Sequence, residues 1–163
     1  MKKHLPAALS FLVPIAVYTL TLAPSVTLED SGEYMAVAAN MGVAHPPGAP
    51  LWCLLGHAAT RVPIGSIAQR TNFLSAVCGA FASLFLFLWL FEETRRWDIA
   101  LAASGVAAFS RCIWGESVVT EVYSLNLMMI FLCLWLAGRW RRTGCPRWLM
   151  ATALAGGLEQ LKV

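Results

Sequence analysis

Apolar positions gather into long blocks along this chain, and polar positions are confined to the segments between them. Crossing a bilayer core as a helix takes about 20 mostly apolar residues. Blocks of that kind run over about 5–23, 73–91, 99–114 and 122–138, and a fifth begins near 148 and is incomplete at 163. The pattern predicts an all-α, polytopic transmembrane protein with four to five spans, in a single membrane domain over residues 1–163. No internal repeat or low-complexity linker interrupts it. The first block follows Met1-Lys2-Lys3, as a signal peptide would. Its apolar stretch is longer than the usual signal core, and Pro24 directly after Ala23 makes a poor cleavage site, so it reads as a retained span.

The polar segments sort by charge. With the N-terminus in the cytoplasm, Lys2, Lys3, Arg95, Arg96, Arg139, Arg141, Arg142 and Arg147 fall inside. Arg61, Arg70 and Arg111 fall outside, with Glu29, Asp30, Glu33, Glu116 and Glu121. This is the positive-inside arrangement, and Trp97, Trp140 and Trp148 lie where interfacial anchors belong. The expected location is an integral, multi-pass membrane position with a cytoplasmic N-terminus, in the cytoplasmic (inner) membrane if the protein is bacterial.

Composition agrees. Of 163 residues, 58% are apolar and only 13% charged, and mean hydropathy is +0.65. The net charge of +3 is spread out, which gives no footprint for nucleic acid. Cys53, Cys78, Cys112, Cys133 and Cys145 show no metal-pair spacing and receive no chemistry.

The long outer loop, about 24–71, holds most of the candidate chemistry. Two short helices are expected in it. One runs from about Ser31 to Met41 and stops at Gly42. The other starts at Pro50 and ends before Pro63. His45-Pro46-Pro47-Gly48 between them is expected to be extended. Met35, Val37, Leu51, Leu54 and Leu55 would lay both helices on the membrane surface.

Asp30-x-x-Glu33 before a helix has the form of a capping box, and spacing alone favours that bland reading. His45 has a plain reading as a turn residue and Arg70 as an interface anchor. Glu121 has one as a first-turn acid behind a Thr120 cap. The functional reading takes these residues together. A carboxylate at a membrane face can act as general base toward a hydroxyl. An arginine can hold a phosphate bidentately. An apolar groove can hold a lipid tail. Those parts suit transfer of a group from a lipid-phosphate carrier. Asp30 and Glu33 could also share a divalent metal through oxygen ligands, although two carboxylates do not make a site.

Four blocks, in order and in register, carry a resemblance. They are Thr27-Leu28-Glu29-Asp30-Ser31-Gly32-Glu33, then Gly42 to Gly48 with Pro50-Leu51-Trp52, then Arg70 to Ala76, then Val119 to Asn126. Together they resemble a multi-pass membrane family, long labelled a domain of unknown function, that is related to protein O-mannosyltransferases of the GT-C glycosyltransferase superfamily. The resemblance implies an inverting glycosyltransferase that takes a sugar, mannose among the candidates, from a polyprenyl-phosphate carrier. The acceptor would be an extracytoplasmic protein or glycan. It implies an essential acid at Asp30, as general base or as the group that orients the acceptor, with Glu33 as second choice. His45, Arg70, Glu121, Tyr123 and Asn126 become candidate substrate-binding residues. The family is several times longer, so the chain is expected to be an N-terminal fragment, inactive alone. The competing class is a non-enzymatic multi-pass protein, such as a transporter half or scaffold. Acids gathered at one face and nearly charge-free spans favour surface chemistry over conduction.

Overall fold

The computed structural model describes residues 4–27, 30–46 and 48–160; Lys2, Lys3, Glu29, Pro47 and Lys162 lie outside the described residues. Among the described residues the fold is all helical, with eight helices and no strand: α1 (His4–Leu20), α2 (Ser31–Asn40), α3 (Pro50–Thr60), α4 (Ile67–Thr94), α5 (Trp97–Ala108), α6 (Arg111–Ser117), α7 (Tyr123–Thr143) and α8 (Pro146–Gln160). Two of them, α4 and α7, are long and apolar enough to cross a membrane; α1 and α5 are apolar but shorter.

Helix α4 is the hub, packed against α1, α2, α3, α5, α6 and α7. It begins well before the apolar block starting at 73, because Ser66 and Gln69 close a reciprocal capping box. The Ser66 hydroxyl accepts from the Gln69 N–H, and the Gln69 amide oxygen accepts from the Ser66 N–H. Its buried face is rich in small residues, among them Ser75, Ala76, Gly79, Ala80, Ala82 and Ser83. Small side chains let helices approach closely where burial in lipid offers little drive to associate. Gly79 marks the tightest approach: a methyl group there would land on the Ser117 hydroxyl and press on the Tyr18 ring.

The block over 99–114 is not one helix. α5 ends at Ala108 and α6 begins at Arg111, with Ser110 accepting from the Ile113 N–H as its N-cap. Twelve residues of helix rise about 18 Å, well short of a bilayer core. A break among apolar neighbours frees carbonyls that need a donor. Tyr18 supplies one, its buried hydroxyl donating to the Ala108 carbonyl at 2.7 Å.

Contacts at the helix ends fix relative directions. Thr120 and Glu121, just before α7, meet Thr71 and Ser75 near the start of α4. Trp135 and Arg139 of α7 meet Glu92 near the end of α4. The two long helices therefore run parallel, and the broken α5–α6 segment returns the chain between them. Ala23, just after α1, meets Asn72 near the start of α4, so α1 runs opposite to α4.

At the α4 C-terminal end Glu92 accepts from Trp135, Arg139 and Arg142. Glu93 accepts from Arg141 and Arg142. Gly138 leaves room for Arg142 to fold back toward these acids. α7 then ends on Gly144 in the left-handed region, with Pro146 opening α8.

At the other end α2 and α3 form a hairpin against α4. Three expectations change here. The left-handed residue that ends α2 is Met41, not Gly42. Met35 and Val37 turn inward and are buried, while Leu54 of α3 is exposed, so α2 packs on protein where a surface-lying helix was expected. Where an extended connection was expected, the Gly48 N–H donates to the His45 carbonyl at 2.8 Å and closes a turn with Pro46 directly after His45; Pro47 is outside the described residues. Ala49 then takes a φ of +40°, buried between Gly48 and Pro50.

Candidate functional site

Asp30 stands at the N-cap of α2 and makes no side-chain capping hydrogen bond; its backbone carbonyl accepts from the Tyr34 N–H at 3.0 Å. The expected capping box is therefore absent. Glu33 faces the His45 turn instead. Its Oε1 accepts from the His45 backbone N–H at 2.6 Å, and its Oε2 lies 3.0 Å from His45 Nδ1. Both carboxylate oxygens are thus engaged by one residue across the α2–α3 connection. The turn held by Pro46 and Gly48 delivers His45 to that position. The other ring nitrogen, Nε2, lies 3.8 Å from Asp30 Oδ2. The three side chains are half open to solvent, at 53% for Asp30 and 42% each for Glu33 and His45. The His45 N–H, and next its ring, hold the Glu33 carboxyl below its ordinary value, so it stays ionised.

Such a group can do two things. A carboxylate and an imidazole nitrogen flanking one gap can take up a proton from a hydroxyl placed between them. One ligand atom from each of Asp30, Glu33 and His45 also lies within 4.8 Å of the others, so the trio could close on a divalent cation.

Behind the trio lies an aromatic floor. The buried Tyr34 ring packs on His45 at 5.8 Å and on buried Trp52 at 4.9 Å between centroids. Burial first, and then the charges of Glu121, Asp30 and Glu33, push the Tyr34 hydroxyl up to about 12. Tyr34 therefore stays neutral, and Glu121 is close enough to act on it from the second loop. Glu121 is buried, and its backbone N–H and carbonyl both lie 3.4 Å from the Ser75 hydroxyl of α4.

The other candidates divide. Thr120 does not cap α7; it is fully buried and faces α4, and Val122 stands at the N-cap with no side-chain hydrogen bond. Arg70 ties the α3–α4 turn together, its Nε, Nη1 and Nη2 donating to the carbonyls of Ile64, Thr60 and Gly65. It also lines a cavity of about 780 Å³ with Thr19, Leu22, Gln69, Phe73 and Leu74. Tyr123, the first residue of α7, is exposed, and Asn126 follows one turn later, half-buried. Sequence reasoning passed over Tyr34, Trp52 and Asn72, although each stands inside or beside a block that carried the resemblance. Their signal is polarity or size at the edge of an apolar run, which by itself names no role.

Comparison with known proteins adds a family. Residues 30–160 match the family described as the protein O-mannosyl-transferase TMEM260 N-terminal domain. Protein O-mannosyl-transferase TMEM260 of Mus musculus is 42% identical over 125 residues, which is 76% of this chain and 18% of the relative. Protein O-mannosyl-transferase tmem260 of Dictyostelium discoideum is 34% identical over 135 residues, covering 81% of this chain and 16% of the relative. The chain thus spans less than a fifth of the length of these curated relatives. No solved structure matches it.

Proposed function

The chain belongs to the protein O-mannosyl-transferase TMEM260 N-terminal domain family, and on that premise we propose that it supplies the acid-bearing face of a membrane glycosyltransferase. The observation that carries this reading is the Asp30–Glu33–His45 trio, exposed at the end of the molecule where α4 begins. The donor is a polyprenyl-phosphate-linked sugar, with mannose suggested by the relatives' names. The acceptor is a hydroxyl of a protein or glycan.

In the proposed step the acceptor oxygen attacks the anomeric carbon of the sugar. The bond from that carbon to the phosphate oxygen breaks, and its electron pair leaves with the polyprenyl phosphate. Asp30 takes the acceptor's proton or orients the hydroxyl for attack. Glu33 holds His45, whose Nε2 faces Asp30 across the gap. Three of the five Arg70 N–H groups are committed to carbonyls, leaving two that can reach a carrier phosphate. The largely apolar cavity beside it has room for the first part of a lipid tail. Glu121 from the second loop, and Tyr123 and Asn126 from the first turn of α7, bound the site in this reading. Any divalent cation would be held by the trio.

The topology that fits is multi-pass. α1, α4, the α5–α6 pair, α7 and α8 cross in alternating directions, the N-terminus is cytoplasmic, and the trio lies outside. Acids at the helix ends, away from the middle of the helices, with the open ones at the end where α4 begins, support surface chemistry over a transporter half or scaffold.

The test is Asp30→Asn in a chain of the relatives' full length that carries this segment, assayed in membranes with a polyprenyl-phosphate mannose donor. Sugar transfer should fall by about 10²–10⁴-fold. Transfer that survives at the wild-type rate would remove Asp30 from the chemistry, and a full-length wild-type chain that transfers nothing would sink the reading as a whole.

A further inference from the structure

We propose that Ser31 and Thr120 are positioning residues of this site: one buried hydroxyl junction sets the loop bearing Asp30 against the loop bearing Glu121. The inference rests on the transferase reading above and adds the parts that keep its two loops in register.

Asp30 has no side-chain cap to hold it. Its place is set by the next residue, Ser31, which is fully buried. The Ser31 hydroxyl donates to the Thr120 carbonyl at 2.9 Å, 89 residues away in sequence, and accepts from the Thr27 hydroxyl at 2.7 Å. Thr120 is itself anchored on α4. Its Oγ1 lies 2.7 Å from Thr71 Oγ1 and donates to Asn72 Oδ1 at 2.5 Å. Asn72 in turn donates to the Ala23 carbonyl at 2.9 Å, and the Ala23 N–H donates to the Val118 carbonyl at 3.0 Å. The junction therefore joins the end of α1, the start of α2, the first turns of α4 and the 118–122 loop. One step further along that loop, Glu121 brackets the Ser75 hydroxyl.

Ser31, Thr71, Asn72 and Thr120 are all fully buried in an otherwise apolar protein. Buried polar groups are costly unless every one finds a partner, and apolar side chains would fill the space more cheaply. What the polar junction offers is a fixed geometry, since hydrogen bonds restrict direction where apolar contacts do not. It does so directly beneath Asp30 and beside Glu121. Misplacing a reacting group by about 1 Å can cost about 10²-fold in rate.

The experiment compares Thr120→Val, Thr120→Ser, Ser31→Ala and the Ser31→Ala/Thr120→Val double variant with wild type, each in a chain of the relatives' full length, in membranes carrying the protein. Transfer is normalised to folded protein, and amide exchange is followed in detergent. Thr120→Val keeps the shape and removes the hydroxyl. It should lower kcat by about 10–100-fold while KM moves by less than about threefold. Thr120→Ser should restore most of kcat. The Ser31→Ala and Thr120→Val effects should multiply to more than the double variant shows, because the two act through one junction. Amides 31–34 should exchange faster in Thr120→Val, although the change lies in the other loop. If kcat per folded molecule is unchanged in Thr120→Val, or if Thr120→Ser is as impaired, the positioning role is overturned and the transferase reading stands. If wild type transfers nothing, that reading falls, and exchange alone then decides whether the loops are held as one unit; protection at 31–34 unaffected by Thr120→Val overturns that too.

Discussion

The two ends of α4 both gather carboxylates and treat them differently. At its C-terminal end Glu92, only 14% exposed, is enclosed by Arg139, Arg142 and the Trp135 N–H, and Glu93 is gripped by Arg141 and Arg142. At its N-terminal end Asp30 and Glu33 stay half open and meet a histidine across a turn. Enclosed carboxylates with guanidinium partners act as a latch between helices, because removing one partner strands the other. Open carboxylates with an imidazole add little to stability and remain available to a substrate. Sequence charge counts treat both pairs alike; enclosure separates them.

The sharpest way to test that contrast is to exchange the effects. Glu92→Ala should destabilise the helix bundle by about 2–4 kcal/mol, read as a lower thermal midpoint in detergent, and leave Asp30 chemistry intact in the molecules that stay folded. Asp30→Asn should do the reverse, with transfer lost and stability moved by less than about 0.5 kcal/mol, since no side-chain cap is broken. If Asp30→Asn unfolds the protein as readily as Glu92→Ala, the distinction between latch and site fails.

Between the two ends, packing is the variable. Gly79→Val would drive a side chain into Ser117 and Tyr18 and should cost about 1–3 kcal/mol. It should also loosen the α5–α6 break, seen as faster amide exchange near Ala108. An unchanged thermal midpoint would mean that the close approach is dispensable.

A pH titration separates the ends more gently. Because the folded Glu33 carboxyl is held below its ordinary value of 4.5, its contribution is present above that value and is lost as pH falls through the folded value. Exchange of the His45 and Gly48 amides should rise in that acid range, and Glu33→Gln should abolish the dependence. The smallest effect is expected at Ala49. Ala49→Gly relieves a left-handed φ but frees the unfolded chain, and should change stability by less than about 1 kcal/mol, toward stabilisation.

Much of the fold was legible in residue order. The apolar blocks became α1, α4 and α7, the proline at 50 opened α3, and Ser31 opened α2. The break at Phe109-Ser110 was not read, although Ser110 and Arg111 interrupt the apolar run there, because Cys112, Ile113 and Trp114 resume it at once. Its repair by Tyr18, 90 residues away, lies outside any sequence window. The capping box was expected at Asp30 and formed at Ser66, since Glu33 found a better partner in His45. Arg70 read as an interface anchor or a phosphate holder, and its tie to three carbonyls of the α3–α4 turn was not foreseen.

Sequence by itself determined that this is an apolar helical protein and that its polar residues gather in the segments before α4 and α7; Asp30, Glu33 and His45 rose above their plain readings only through the resemblance. Those are properties of composition and local order, and they survive any rearrangement of the helices. Tertiary structure decided which acids are enclosed and which are open, that Glu33 serves His45 and does not cap, and that Ser31 meets Thr120. Each of these is a pairing between residues from 12 to 89 positions apart. Such pairs are selected by competition among partners once the helices have packed, and no local pattern records the outcome.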